Sequence, residues 1–212
     1  MEVNILKLLI AGTREQMPES GVDCAEKAAE LFAAAGTETE IGVDAVQMER
    51  FDALIVPGSL PDVDPSFWGE ANTGCKVIDA ALDRKQMAII KAAVAQRKPI
   101  FGICRGMQLV SVFFGATMIQ DIERGETHRY DPKSPKSHKV LSVPGTFAEQ
   151  IFDSSITVNS AHHQALGRIP NELRAAQLWC ADSKQAEQAL ADAAAGRLRE
   201  GSGGLHRRDR LP

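Results

Sequence analysis

Long hydrophobic runs are missing from this chain of 212 residues. None reaches the roughly 18 apolar residues that a membrane-spanning helix needs, so no membrane partner is expected. Basic charge is not in excess either. The formal net charge is -4, which gives no electrostatic footing for a nucleic-acid partner. Cysteine is sparse. Cys24, Cys75, Cys104 and Cys180 are widely spaced and none forms a CxxC pair. That excludes zinc ribbons and thioredoxin-type motifs, and no metal or other cofactor is expected. The start "MEVNILKLLIAGT" lacks the basic opening and cleavage pattern of a secretory signal. A cytoplasmic location with free thiols is the resulting expectation. Aromatic residues make up 5% of the chain, against 44% apolar and 25% charged, a composition ordinary for a globular domain.

What is present is an alternation of strands and helices. "ILKLLIAG" (5–12) has strand length and ends in Gly, "DCAEKAAELFAAAG" (23–36) carries helix formers, and "TETEIGV" (37–43) is a weaker strand. "FDALIVPGS" (51–59) is an apolar strand stopped by Pro-Gly, "RKQMAIIKAAVAQRK" (84–98) an amphipathic helix, "PIFGI" a strand and "RGMQLVSVFFG" a helix. Such alternation implies parallel pairing through right-handed crossovers, hence an α/β three-layer domain with helices on both faces. The pattern then changes. Residues 123–140 are polar and basic with two prolines and read as a surface loop or lid. "KVLSV", "ITVNSAHHQAL" and "ELRAAQLW" read as short strands, "TFAEQIF" as a helical piece, and residues 184–200 as an Ala-rich helix. One domain over residues 1–200 is expected, followed by a disordered tail at 201–212.

Cys104 stands at a joint between strand and helix. A lone cysteine among apolar residues is most often a small buried hydrophobe. Its neighbours weigh the other way. Gly102 and Gly106 bracket it as G-I-C-R-G, the spacing of a nucleophile elbow. Such a turn presents its nucleophile at the carboxyl end of a strand, where open α/β sheets bind ligands. The helix that starts at Arg105 offers unpaired N–H groups and a positive dipole end. These favour a thiolate and an oxyanion formed by its attack.

"GICRGMQLVSVFFGATMIQDI", "LIVPGSLPDVDPSFWGE" and "SHKVLSVPG…VNSAHHQAL" together resemble segments of the class I glutamine amidotransferase superfamily, in the same order along the chain. Within it, the chain is most similar to the gamma-glutamyl-gamma-aminobutyrate hydrolase family, from about Leu54 to Leu166. The resemblance implies a flavodoxin-like parallel sheet and hydrolysis of gamma-glutamyl amides, with a small-molecule gamma-glutamyl substrate. It makes Cys104 the nucleophile, which forms a thioester with the glutamyl group. It makes the backbone N–H groups of Gly58, Ser59 and Arg105 the oxyanion hole. It sets Gln108 facing the glutamyl group, and His162, His163 and Gln164 in the wall of the site.

One motif of that family is absent. Its strand ending in Trp-His-Pro-Glu carries the general base, and none of His128, His138, His162, His163 and His206 precedes Pro-Glu. The likeness fades after "LRAAQLWCADSKQAEQAL", so the last strands are expected to be incomplete. An edge left open there would favour homo-oligomers. Two neighbouring residues on a strand face opposite ways, so either His162 or His163 can stand in as the base. The alternative is a catalytically degenerate member of the fold, acting as a binding or redox-responsive protein.

Overall fold

The computed structural model describes residues 5–13, 24–122, 128, 129, 131, 133–180 and 183–198. The expected tail at 201–212 and part of the expected 123–140 loop lie outside them. The chain divides into two units, Met1–Phe113 and Phe114–Pro212.

The first unit is built on four parallel strands: β1 (Lys7–Ala11), β2 (Glu38–Gly42), β3 (Ala53–Val56) and β4 (Ile100–Gly102). Their order in the sheet is β2-β1-β3-β4, the doubly wound arrangement expected from the alternation. The crossovers run to one side of β1 for β2 and to the other for β3, which makes the β1/β3 gap a topological switch point. Side-chain alternation explains the layers. Leu9, Ala11, Leu54 and Val56 point to one face and pack with Ile89, Ile90, Ala93 and Leu109 from α2 (Ala80–Ala95) and α3 (Arg105–Phe113). Leu8, Ile10 and Ile55 point to the other and pack with Ala25 and Ala28 of α1 (Cys24–Ala34). With both faces covered, the strands have no polar side to show, hence their nearly unbroken apolar sequence.

Helix α2 starts four residues earlier than the periodicity of 84–98 suggests. Asp79 accounts for the difference: its Oδ1 accepts from the N–H groups of Ala81 at 3.1 Å and Leu82 at 2.9 Å, so it caps the first turn.

The second unit is antiparallel. β5 (Met118–Ile119) pairs with β8 (Ala165–Leu166), and a separate sheet runs β7-β6-β9, with β6 at Lys136–Ser142, β7 at Ser155–Ser160 and β9 at Gln177–Leu178. Strand β6 takes up the end of the stretch expected as a loop. Its KSHKVLS alternates between exposed and less exposed positions, a period of two that the polar, Pro-containing lead-in obscures. Helices α4 (Phe147–Phe152) and α5 (Ser183–Ala194) complete the unit. Ala189 and Ala193 of α5 pack on Val143 and Leu178.

Candidate active site

The elbow forms because two glycines let helix α3 lie directly on strand backbone. A Cβ on Gly102 would sit 2.6 Å from the Met107 N and Cα atoms. A Cβ on Gly106 would collide with the Val56 carbonyl oxygen. No other residue fits at either place without moving the backbone. Between them Cys104 takes φ 52°, the left-handed region that a non-glycine residue seldom occupies. The turn is held by the Ile103 N–H donating to the Val56 carbonyl at 2.9 Å and the Gly106 N–H donating to the Ile103 carbonyl at 2.8 Å.

Cys104 is exposed at the carboxyl end of β4. The carboxyl end of β3 leads into Gly58, whose Cβ position lies 3.4 Å from the Cys104 Cβ. Ser59 follows, its Oγ buried without a hydrogen-bond partner among the described residues. Gln108 lies one helical turn after Cys104, its N–H donating to the Cys104 carbonyl at 3.2 Å, and its side chain is buried. The first unit thus brings together Cys104, Arg105, Gly58, Ser59 and Gln108.

The electrostatics differ from the expectation of an acidified thiol. The atoms packed around the Cys104 sulfur shed solvent and push the thiol's pKa up from its ordinary value. The Arg105 backbone N–H and the Arg105 charge pull it down, and they do not overcome the lost solvation. The residue's surface is open, so this loss comes from the floor of the elbow around the sulfur, and not from a sealed pocket.

His162, His163 and Gln164 lie in the second unit. They do not sit on a strand: β7 stops at Ser160 and β8 begins at Ala165. The strict alternation expected for the two histidines therefore does not apply, and their surroundings tell them apart. His163 Nδ1 lies 3.2 Å from Asp121 Oδ1, and Arg129 donates to both Asp121 oxygens at 2.8 and 3.0 Å. Burial pushes the Asp121 carboxyl up, but the bonds from Arg129 and His163 outweigh it and hold its pKa below the usual range. His162 Nδ1 lies 2.9 Å from the Gln164 carbonyl. Its ring packs 4.9 Å from that of His128, which lies 4.7 Å from His138 and 4.5 Å from Trp179. Burial lowers the pKa of both His162 and His138. The Gln164 amide donates to the Gln120 carbonyl at 3.2 Å. Among the described residues no group of three or more His, Cys, Asp or Glu side chains could hold a metal ion. No helix among them is long and apolar enough to cross a membrane.

Over residues 12–183 the chain matches the family described as peptidase C26. The chain belongs to the peptidase C26 family. Its relatives include Enterococcus hirae protein NtpR, 34% identical over 60% of this chain and 56% of that protein. They also include the Escherichia coli gamma-glutamyl-gamma-aminobutyrate hydrolase PuuD, 34% identical over 60% of this chain and 54% of that protein. The chain spans little more than half the length of these two relatives. Among solved structures, the fold is similar to that of a GMP synthase glutaminase-type protein from Thermoplasma acidophilum, with a TM-score of 0.56 and 19% identity over 82% of this chain and 73% of the other. This peptidase C26 member therefore has the α/β fold with a parallel sheet that its sequence predicts.

Sequence reasoning missed two features of the peptidase C26 chain. Asp83 and Gln86 lie fully buried under the elbow, although an amphipathic helix with "LDRKQ" reads as solvent-facing there. The available signal was Arg105: a guanidinium in the middle of an apolar elbow needs a buried acid. The second is the Asp121 carboxylate behind His163, separated from it by 42 residues, for which the sequence carries no local signal.

Proposed function

We propose that this chain is a cysteine-dependent hydrolase of gamma-glutamyl amide bonds in small molecules. The observation that supports it most is Cys104 held at φ 52° on the joint of β4 and α3, against the Gly58 turn. Strain of that kind is kept where the rest of the fold over-determines it, and functional sites are where it collects. The name of the relative PuuD supports the gamma-glutamyl class.

In this reading the Cys104 thiolate attacks the side-chain amide carbon of a gamma-glutamyl group. The carbonyl oxygen becomes an oxyanion that accepts from the backbone N–H groups of Arg105 and of the Gly58-Ser59 turn. The C–N bond breaks, the amine leaves with a proton, and a thioester remains. Water then adds to the thioester and releases glutamate and the thiol. Gln108 faces the glutamyl group, and His162, His163 and Gln164 contribute to its recognition. For the proton, His163 has the suitable internal chemistry, because Asp121 fixes its Nδ1 and leaves Nε2 as the exchanging nitrogen. His162 has its Nδ1 on its own neighbour's carbonyl and its ring in a packed cluster.

The test is release of p-nitroaniline from gamma-glutamyl-p-nitroanilide, with site-resolved mass spectrometry after limiting iodoacetamide. Turnover is expected to fall at least about 10⁴-fold in Cys104→Ser. Cys104 is expected to be alkylated before Cys24, Cys75 and Cys180. Turnover that survives Cys104→Ser overturns the reading. A second reading, a degenerate member of the family that binds or senses oxidants, is favoured by the raised thiol pKa and the missing His-Pro-Glu. Absent turnover together with selective oxidation of Cys104 by peroxide would decide for it.

A further inference from the structure

Arg105 follows the candidate nucleophile directly, and its side chain turns inward to 2% exposure. Its guanidinium donates to the carboxylate of Asp83, itself 0% exposed, and to Gln86 Oε1 at 2.5 Å. The network continues beyond the pair. Asp83 Oδ2 accepts from the Asp64 N–H at 2.8 Å, and Gln86 Nε2 donates to the Ala11 carbonyl at 2.5 Å. One connected set of bonds therefore ties the elbow to α2, to the loop after β3 and to the end of β1. Stability alone does not require such a device, because an apolar pair of the same volume serves a core as well or better. What an apolar pair cannot do is fix a planar, charged fork in one orientation next to a thiol.

We propose that Asp83 and Gln86 are positioning residues for Cys104: by clamping the Arg105 guanidinium they hold the strained turn and keep a fixed positive charge beside the sulfur. The inference rests on the reading of Cys104 as the nucleophile. The Arg105 charge favours the thiolate, and Asp83 balances it. Asp62 and Asp79 also act on Arg105, and Asp64 and Asp79 act on Asp83. All of them stay in place in the variants below.

The experiment is the pH dependence of Cys104 alkylation by iodoacetamide, followed by mass spectrometry at each cysteine of the full chain. It needs no substrate. Asp83→Asn leaves the Arg105 charge unopposed, so the midpoint falls and the rate at neutral pH rises severalfold. The double replacement Arg105→Met with Asp83→Leu removes both charges, keeps the volume and is the variant that folds if Asp83→Asn does not. Its midpoint rises and its rate at neutral pH falls about tenfold. Opposite shifts are the signature, since a purely structural loss would move neither midpoint. If Cys104 reacts first in the wild type but the folded double variant keeps the same midpoint, the positioning role is overturned and the nucleophile stands. If Cys104 is slower than the other three cysteines in the wild type, the nucleophile reading fails and the inference falls with it.

Discussion

The two units solve the problem of buried polar groups in different ways. In Met1–Phe113 the buried polar groups under the elbow form a tied network of Arg105, Asp83, Gln86 and main-chain atoms, within a parallel sheet whose faces are both apolar. In Phe114–Pro212 a packed group of imidazoles around Trp179 takes that place, next to two small antiparallel sheets. A guanidinium–carboxylate pair keeps its charges across the whole physiological range. Imidazoles change theirs in the middle of it. The contrast implies that the first unit is built to hold one geometry, and the second is the part of the molecule whose stability responds to pH. Each unit carries one tryptophan, Trp68 and Trp179, so single-tryptophan variants (Trp179→Phe and Trp68→Phe) report on them separately.

The severest challenge to that contrast is Gly106→Ala. The new Cβ would meet the Val56 and Pro57 carbonyl oxygens, which belong to backbone and cannot swing away. A loss of at least about 4 kcal/mol in urea unfolding followed at Trp68 is expected, at the extreme of single-site effects. Little change would mean that α3 can lift off β3 freely, and the elbow would then not be the rigid feature described.

Acid is the next test, and its sign follows from the pKa shifts. All five histidines lie after Phe113. Burial lowers the pKa of His138 and His162 in the folded chain. The unfolded chain therefore takes up protons first, near the ordinary value of about 6.5, and the stability these groups contribute drains as pH falls through that value. Asp121, also depressed, begins to matter only near the carboxylate range. In the first unit burial raises the Asp83 carboxyl, so acid does not weaken the fold through that group. Going from pH 7 to 5, the urea midpoint read at Trp179 should drop and that at Trp68 should not. His138→Phe should flatten the Trp179 response. Equal drops at both tryptophans would erase the distinction between the units.

The sequence made the elbow legible because all its determinants are local. Gly102, Cys104 and Gly106 lie within five residues, and the strand before them and the helix after them announce themselves by period. The α1–α3 scaffold was legible for the same reason, apart from the start of α2, where a cap and not a periodicity sets the boundary. The supports were not legible. Asp83 meets Arg105 across 22 residues and Asp121 meets His163 across 42, and both acids have sequence surroundings that suit an exposed position. The histidine pair was misplaced onto a strand because apolar residues on both sides extend the β7 pattern, while the chain in fact leaves the sheet at Ser160 to bring His162 under the His128 carbonyl, which accepts from its N–H at 2.9 Å. Local chemistry is written in short stretches; the groups that hold it in place are distributed by the fold.

The smallest effect separates strain that serves a site from strain that does not. Cys104 and Asp153 both have positive φ, 52° and 57°. Asp153 sits after α4 with ψ -156°, a combination open essentially to glycine alone. It lies at an exposed helix end, and no role in chemistry is assigned to it. Asp153→Gly should therefore raise the stability read at Trp179 by about 1 kcal/mol, with alkylation of Cys104 unchanged. Cys104→Gly relieves a strain of similar size and should raise the stability read at Trp68 by about the same amount, while removing gamma-glutamyl turnover altogether. A protein that gains stability when its proposed nucleophile is replaced is using that stability to keep the thiol at the turn. If Cys104→Gly is instead destabilising, the side chain contributes packing that outweighs the backbone strain, and the left-handed turn would be an ordinary consequence of the core beneath it.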